Sequence, residues 1–122
     1  MELKTLKDNF SVCKIKDTKE VDFADEYVFL SKTDEELSLV CKTESLPKDC
    51  IEVEKGWRGF RVQGTLDFSL IGILSKLSTI LADNGISIFA ISTFNTDYIL
   101  VKEEKFEEAM DALEKNGYLV VE

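Results

Sequence analysis

The clearest alternation of hydrophobic and polar positions lies in the second half of the chain. Arg58-Gly59-Phe60-Arg61-Val62-Gln63 puts Phe60 and Val62 on one face and predicts a strand. Gly64-Thr65-Leu66-Asp67-Phe68-Ser69 follows as a turn with two N-cap candidates, Asp67 and Ser69. Leu70, Ile73, Leu74, Leu77, Ile80 and Leu81 then recur at helical spacing, opposite Lys76, Ser78 and Asp83. Gly72 falls one turn into that helix, and Asn84-Gly85 stops it. Ile86 to Ile91 is a nearly unbroken apolar run suited to a central strand. Ser92 to Thr96 turns the chain, and Asp97 to Lys102 is the next strand. Glu104 to Asn116 is an amphipathic helix with Phe106, Ala109, Met110 and Leu113 as its stripe, and Tyr118 to Val121 closes the pattern. The order is βαββαβ. It predicts an α+β, ferredoxin-like unit with two helices on one face of an antiparallel sheet.

The first half is less regular. Phe10 to Lys16 reads as a strand, Asp17 to Glu26 has room for a short helix at most, and Tyr27 to Ser31 with Leu37 to Lys42 form a strand pair. Thr43 to Gly56 holds the single proline and reads as a connection with an extended piece at Ile51 to Val53. A shift of 61 residues lays Ser31 on Ser92, Glu36 on Asp97, Leu39 on Leu100 and Val40 on Val101. The first strands align at a shift of 48, Ser11 to Lys14 on Gly59 to Val62. The difference predicts an abbreviated first copy, residues 1–56, that lacks a helix, followed by a complete copy, residues 57–122.

Composition narrows the function classes. The net charge of −9 comes from 15 basic and 24 acidic side chains and is spread over both halves, which offers no basic stripe to a phosphate backbone or an anionic membrane. The chain has no histidine, which removes the commonest general base and the commonest metal ligand. Three cysteines without a CxxC fit a reducing cytosol, and Cys13 and Cys41 sit in apolar alternations as small core residues. The longest apolar run is far short of the roughly 20 residues of a membrane span, so the expected location is the cytoplasm. No cofactor and no metal are expected.

The stretch Gly56 to Leu74 resembles the opening of the ACT domains in small bacterial tandem proteins related to CASTOR-type arginine sensors. Gly85 to Val101 is similar to the same family, and Thr33 to Cys41 to its first half. The resemblance covers nearly the whole chain after Phe10. It implies a non-enzymatic regulatory protein, a homodimer that binds a small molecule, an amino acid, at an interface between ACT units. It also implies a regulated protein partner and leaves that partner unnamed. In the arginine sensors an aspartate at strand entry falls at the position of Asp97.

The residues themselves point to the same place. A helix start carries free N–H groups and about half a positive charge, so the turn Gly64, Thr65, Leu66, Asp67, Phe68, Ser69 can seat a ligand carboxylate. Gly64 also serves a plain turn, and Gly72 plain helix packing. An amino acid's ammonium needs acidic partners. Asp97 with Ser92 and Thr93, and Asp34, Glu35 and Glu36 in the first half, are candidates, and each is also an ordinary hairpin-turn residue. Trp57 reads as a plug between the halves. An acylphosphatase would carry an arginine in the loop after its first strand, and Gly64 to Ser69 has none. The alternative to a sensor is a degenerate ACT scaffold that acts only in dimerisation or protein interaction.

Overall fold

A computed structural model describes residues 1–63 and 72–122. Its strands are β1 (Glu2–Lys14), β2 (Val28–Lys32), β3 (Leu37–Lys42), β4 (Glu52–Val62), β5 (Phe89–Ser92), β6 (Asp97–Lys102) and β7 (Leu119–Val121). Its helices are α1 (Ile73–Asp83) and α2 (Phe106–Lys115), with single 3-10 turns at Thr43–Ser45 and Glu103–Lys105. The chain forms two compact units, one of Met1–Lys7 with Arg58–Glu122 and one of Asp8–Trp57. No described helix is long and apolar enough to cross a membrane.

In the larger unit the strand order is β7-β1-β4-β6-β5. β1 lies parallel to β7, with Leu3 opposite Val120, and antiparallel to β4, where the Gln63 N–H donates to the Glu2 carbonyl at 2.9 Å. The core follows from the two periodicities. Phe60 and Val62 on β4 and Ile99 and Val101 on β6 point to one face by strand alternation. Leu77 and Leu81 of α1, four apart, and Phe106, Ala109, Met110 and Leu113 of α2 close over them. This is the mixed α+β ferredoxin-like arrangement that the hydrophobic pattern predicted.

Two expectations are corrected here. The run Ile86–Ile91 is not a central strand: among the described residues β5 stands at the edge of the sheet and pairs with β6. Its apolar content reflects half-burial of Ile88, Phe89 and Ile91, while Ala90 and Ser92 are exposed. Gly72 is not inside the helix but at its N-cap, with φ of 78°. A Cβ there would meet nothing within 4 Å, so packing does not explain this glycine. The positive φ does, because L side chains pay for that backbone region. Gly85 plays the expected part after α1, with φ of 72°.

The smaller unit has no helix. β3 pairs with β2 and with β1, antiparallel on both sides, with Cys13 opposite Leu39 and Ser11 opposite Cys41. Cys13, Ile15, Leu39 and Cys41 form its apolar core, and Val21, Leu46 and Cys50 from the connecting segments pack on them. Asp17 and Asp22 hold the segment after β1 in tight turns by accepting the N–H groups of Lys19 and Ala24, both at 3.0 Å. β1 itself begins at Glu2, eight residues before the strand expected at Phe10.

Candidate functional site

Of the residues singled out above, Gly64 to Ser69, with the capping candidates Asp67 and Ser69, lie outside the described residues. The others fall in two hairpin turns, one in each unit.

In the larger unit the turn between β5 and β6 is built on two threonines. The Thr93 N–H donates to the Thr96 carbonyl at 2.8 Å, and the Thr93 hydroxyl donates to the same oxygen at 2.9 Å. The buried Thr96 hydroxyl reaches across 34 residues of sequence and donates to the Val62 carbonyl at 2.7 Å. That bond ties the hairpin to the end of β4, the strand from which Gly64 to Ser69 leaves. At the base of the turn the Ser92 hydroxyl donates to Asp97 Oδ1 at 2.6 Å. Asp97 is half-buried and shares its face of β6 with Ile99 and Val101, the side that α1 and α2 cover. On the opposite face Arg61 approaches the Tyr98 hydroxyl at 3.5 Å and donates to Gln63 Oε1 at 3.2 Å. The structure therefore brings Ser92 and Asp97 together directly, and holds Thr93 through the turn's own backbone.

The turn of the smaller unit repeats this chemistry. The Thr33 N–H donates to the Glu36 carbonyl at 3.0 Å, and the Thr33 hydroxyl accepts from Glu35 and Glu36 N–H at 3.1 and 3.2 Å. Matching the two turns by their hydrogen bonds and strand pairing sets Thr33 against Thr93 and Glu36 against Thr96, a shift of 60. The 61-residue register is thereby corrected, and Leu37, not Glu36, stands where Asp97 does. The 3-10 turns Thr43–Ser45 and Glu103–Lys105 obey the same shift. Side chains of Asp34, Glu35 and Glu36 are exposed. Glu36 lines an open cleft of about 450 Å³ with Lys14, Ser38, Glu52, Val53 and Glu54. Asp34 and Glu35 do not reach it.

The strongest charge cluster of the smaller unit was not anticipated. Lys42 Nζ lies 3.0 Å from Glu26, 3.2 Å from Asp25 and 3.9 Å from Asp8. Hydrogen bonds to Glu26 and Asp25 hold its ammonium above the usual lysine range. The Ser45 hydroxyl, donating at 2.7 Å, and then Lys42 hold Asp25 below the usual carboxylate range. No local sequence signal marks this cluster, because its charged members come from three separate segments, Asp8, Asp25–Glu26 and Lys42. Among the described residues no group of His, Cys, Asp or Glu is arranged to hold a metal ion.

Two further clefts open in the larger unit. One, about 610 Å³, is lined by Ile73, Lys76, Ile80, Asn116 and Tyr118. The other, about 520 Å³, has the Arg58 guanidinium 4.2 Å above the Phe106 ring, with Glu107 and Asp111 on its rim.

A family model of the ACT domain matches residues 52–115. Among solved structures, protein Atu0741 from Agobacterium tumefaciens is 32% identical with a TM-score of 0.84, over 98% of this chain and 91% of its own. Protein VC0802 from Vibrio cholerae is 22% identical with a TM-score of 0.73, over 93% of this chain and 88% of its own. The regulatory subunit of aspartate kinase from Thermus thermophilus, in ligand-free form, is 12% identical with a TM-score of 0.63, over 94% of this chain and 96% of its own. The last two are likenesses of fold alone. Comparison with curated protein sequences gave no match.

Proposed function

This chain belongs to the ACT domain family, whose members are regulatory small-molecule-binding modules and not catalytic domains, and on that premise we propose that it is a non-enzymatic amino-acid sensor. The ligand lies at an interface between ACT units of a cytoplasmic homodimer, in the manner of the small tandem proteins related to arginine sensors. The residues assigned to hold it are Gly64, Thr65, Leu66, Asp67, Phe68 and Ser69, with Ser92, Thr93 and Asp97, and Asp34, Glu35 and Glu36 from the abbreviated copy in residues 1–56.

The observation that carries this reading is the Thr96–Val62 hydrogen bond. It ties the hairpin that carries Asp97 to the end of β4, the strand that precedes Gly64 in the sequence. The turn repeat at a shift of 60 supports the tandem relation. A thermal-shift panel of the twenty amino acids tests the proposal. A ligand at 100 times its dissociation constant adds about 2.7 kcal/mol of stability. If no amino acid moves the melting temperature, the sensing assignment fails. Replacement of Asp97 by Asn should then weaken the responding amino acid selectively.

The position of β5 favours a second reading, a scaffold that acts only through association. β5 ends the order of the described strands, and a strand at a sheet edge is a natural template for pairing with another chain. On this reading sedimentation shows a stable dimer and the amino-acid panel shows nothing.

A further inference from the structure

All three cysteines of the chain meet in the smaller unit, although 37 positions of sequence separate Cys13 from Cys50. Cys13 sits on β1 opposite Leu39, so Cys41, two residues along β3, lies on the same face. Beyond the 3-10 turn Thr43–Ser45 the chain folds back. The Cys50 thiol donates to the Pro47 carbonyl at 3.1 Å, and the Ile51 N–H donates to the Lys14 carbonyl at 2.8 Å. Those two bonds lay Cys50 over the face that carries Cys13. Cys50 packs against the buried cluster that contains Cys13 and Cys41. Cys13 and Cys41 are each 3% exposed, whereas Cys50 is half-buried.

We propose that Cys50 and Cys13 are a redox-active pair that closes to a disulfide, with a low-molecular-weight disulfide as oxidant, and so staples the segment 43–51 onto β1. Cys50 is the thiol a reagent can reach. Its thiolate attacks one sulfur of the small disulfide, whose S–S bond breaks, and one small thiolate leaves and takes a proton. Cys13 then gives its proton to solvent and attacks the Cys50 sulfur, and the second small thiolate leaves and is protonated. Two protein thiols lose two electrons and two protons, and the small disulfide becomes two thiols. Burial keeps Cys13 protonated at neutral pH, so it enters second, from the cluster on which Cys50 packs.

The pair is tested on the full-length chain, reduced and then incubated with oxidised glutathione, blocked by alkylation and mapped by mass spectrometry without reduction. The expected result is a monomeric chain lighter by two hydrogens, a linked Cys13–Cys50 peptide, and Cys41 alkylated only after unfolding. The Cys50→Ser variant, checked for native circular dichroism, should lose the intramolecular bond. A wild-type chain that stops at one glutathione on Cys50, that stays fully reduced, or that links Cys41 instead overturns the proposal.

Discussion

The two units share one local design and cover it differently. Each has a hairpin turned on a threonine, a strand whose alternate residues face a core, and a 3-10 turn directly after that strand. In the larger unit Ile99 and Val101 meet two amphipathic helices, and the core holds Phe60, Leu77, Leu81 and Leu113, all fully buried. In the smaller unit the equivalent Leu39 and Cys41 have no helix over them: Val21, Leu46 and Cys50 of the connecting segments pack on their cluster, beside Val28 and Leu37 of the strands. The strand pattern needs a cover, but it does not specify which kind. A layer of helix supplies bulk through a repeating stripe. A layer of loop supplies single side chains such as Leu46 and Cys50.

The difference predicts unequal responses. Phe60→Ala removes a fully buried ring from the helical core and should cost about 3–5 kcal/mol in urea unfolding. Cys41→Ala removes only a sulfur from the loop-covered core and should cost markedly less. Equal losses would mean that the two cores are not energetically distinct.

Gly59→Ala tests how tightly the larger unit is packed on the face away from its helices. A Cβ there would stand 2.7 Å from Leu100 Cδ2 and 3.4 Å from the Ile99 carbonyl. The strain should cost about 1–3 kcal/mol in the same measurement. An unchanged midpoint would show that Leu100 swings aside freely.

Thr96→Val leaves the buried Val62 carbonyl without its donor and should cost roughly 1–3 kcal/mol. The equivalent Glu36, exposed in its turn, should tolerate Glu36→Val almost without loss. Similar effects at both sites would remove the distinction between a pinned hairpin and a free one.

The last difference is silent at neutral pH. Burial pushes the Cys13 thiol from 9.0 up to about 12, with the neighbouring Cys50 adding to it, and pushes the Cys41 thiol up to about 11. A pKa raised by folding adds stability below the unfolded value and loses it as pH climbs toward the folded one. The urea midpoint under reducing conditions should therefore hold up to about pH 9 and fall between there and about 12. Cys41→Val should flatten that fall.

Most of the larger unit could be read directly from the chain. The stripes of α1 and α2, the alternation in β4 and β6 and the glycine stop at Gly85 are all local, and each names its own element. Sequence and structure part where a residue's meaning depends on distant neighbours. The run Ile86–Ile91 is apolar enough for a central strand, yet strand order put it at an edge. Gly72 fits a helical stripe, yet its positive φ marks the helix start. The acidic turns read as turns, but the shift of 61 that their residue types suggest stands one residue away from the shift of 60 that their hydrogen bonds obey. Aligned leucines and valines tolerate a slip of one, whereas threonine-to-backbone hydrogen bonds do not.

Sequence alone determined the ferredoxin-like pattern, the acidic character, the absence of histidine and the family resemblance, since all of these rest on short-range spacing and residue type. Tertiary structure decided that Met1–Lys7 joins Arg58–Glu122, that Lys42 gathers three carboxylates, that Thr96 is pinned to Val62 and that three cysteines share one core. Each of these joins residues far apart in the chain, and no local periodicity records which distant strand or loop a side chain will meet.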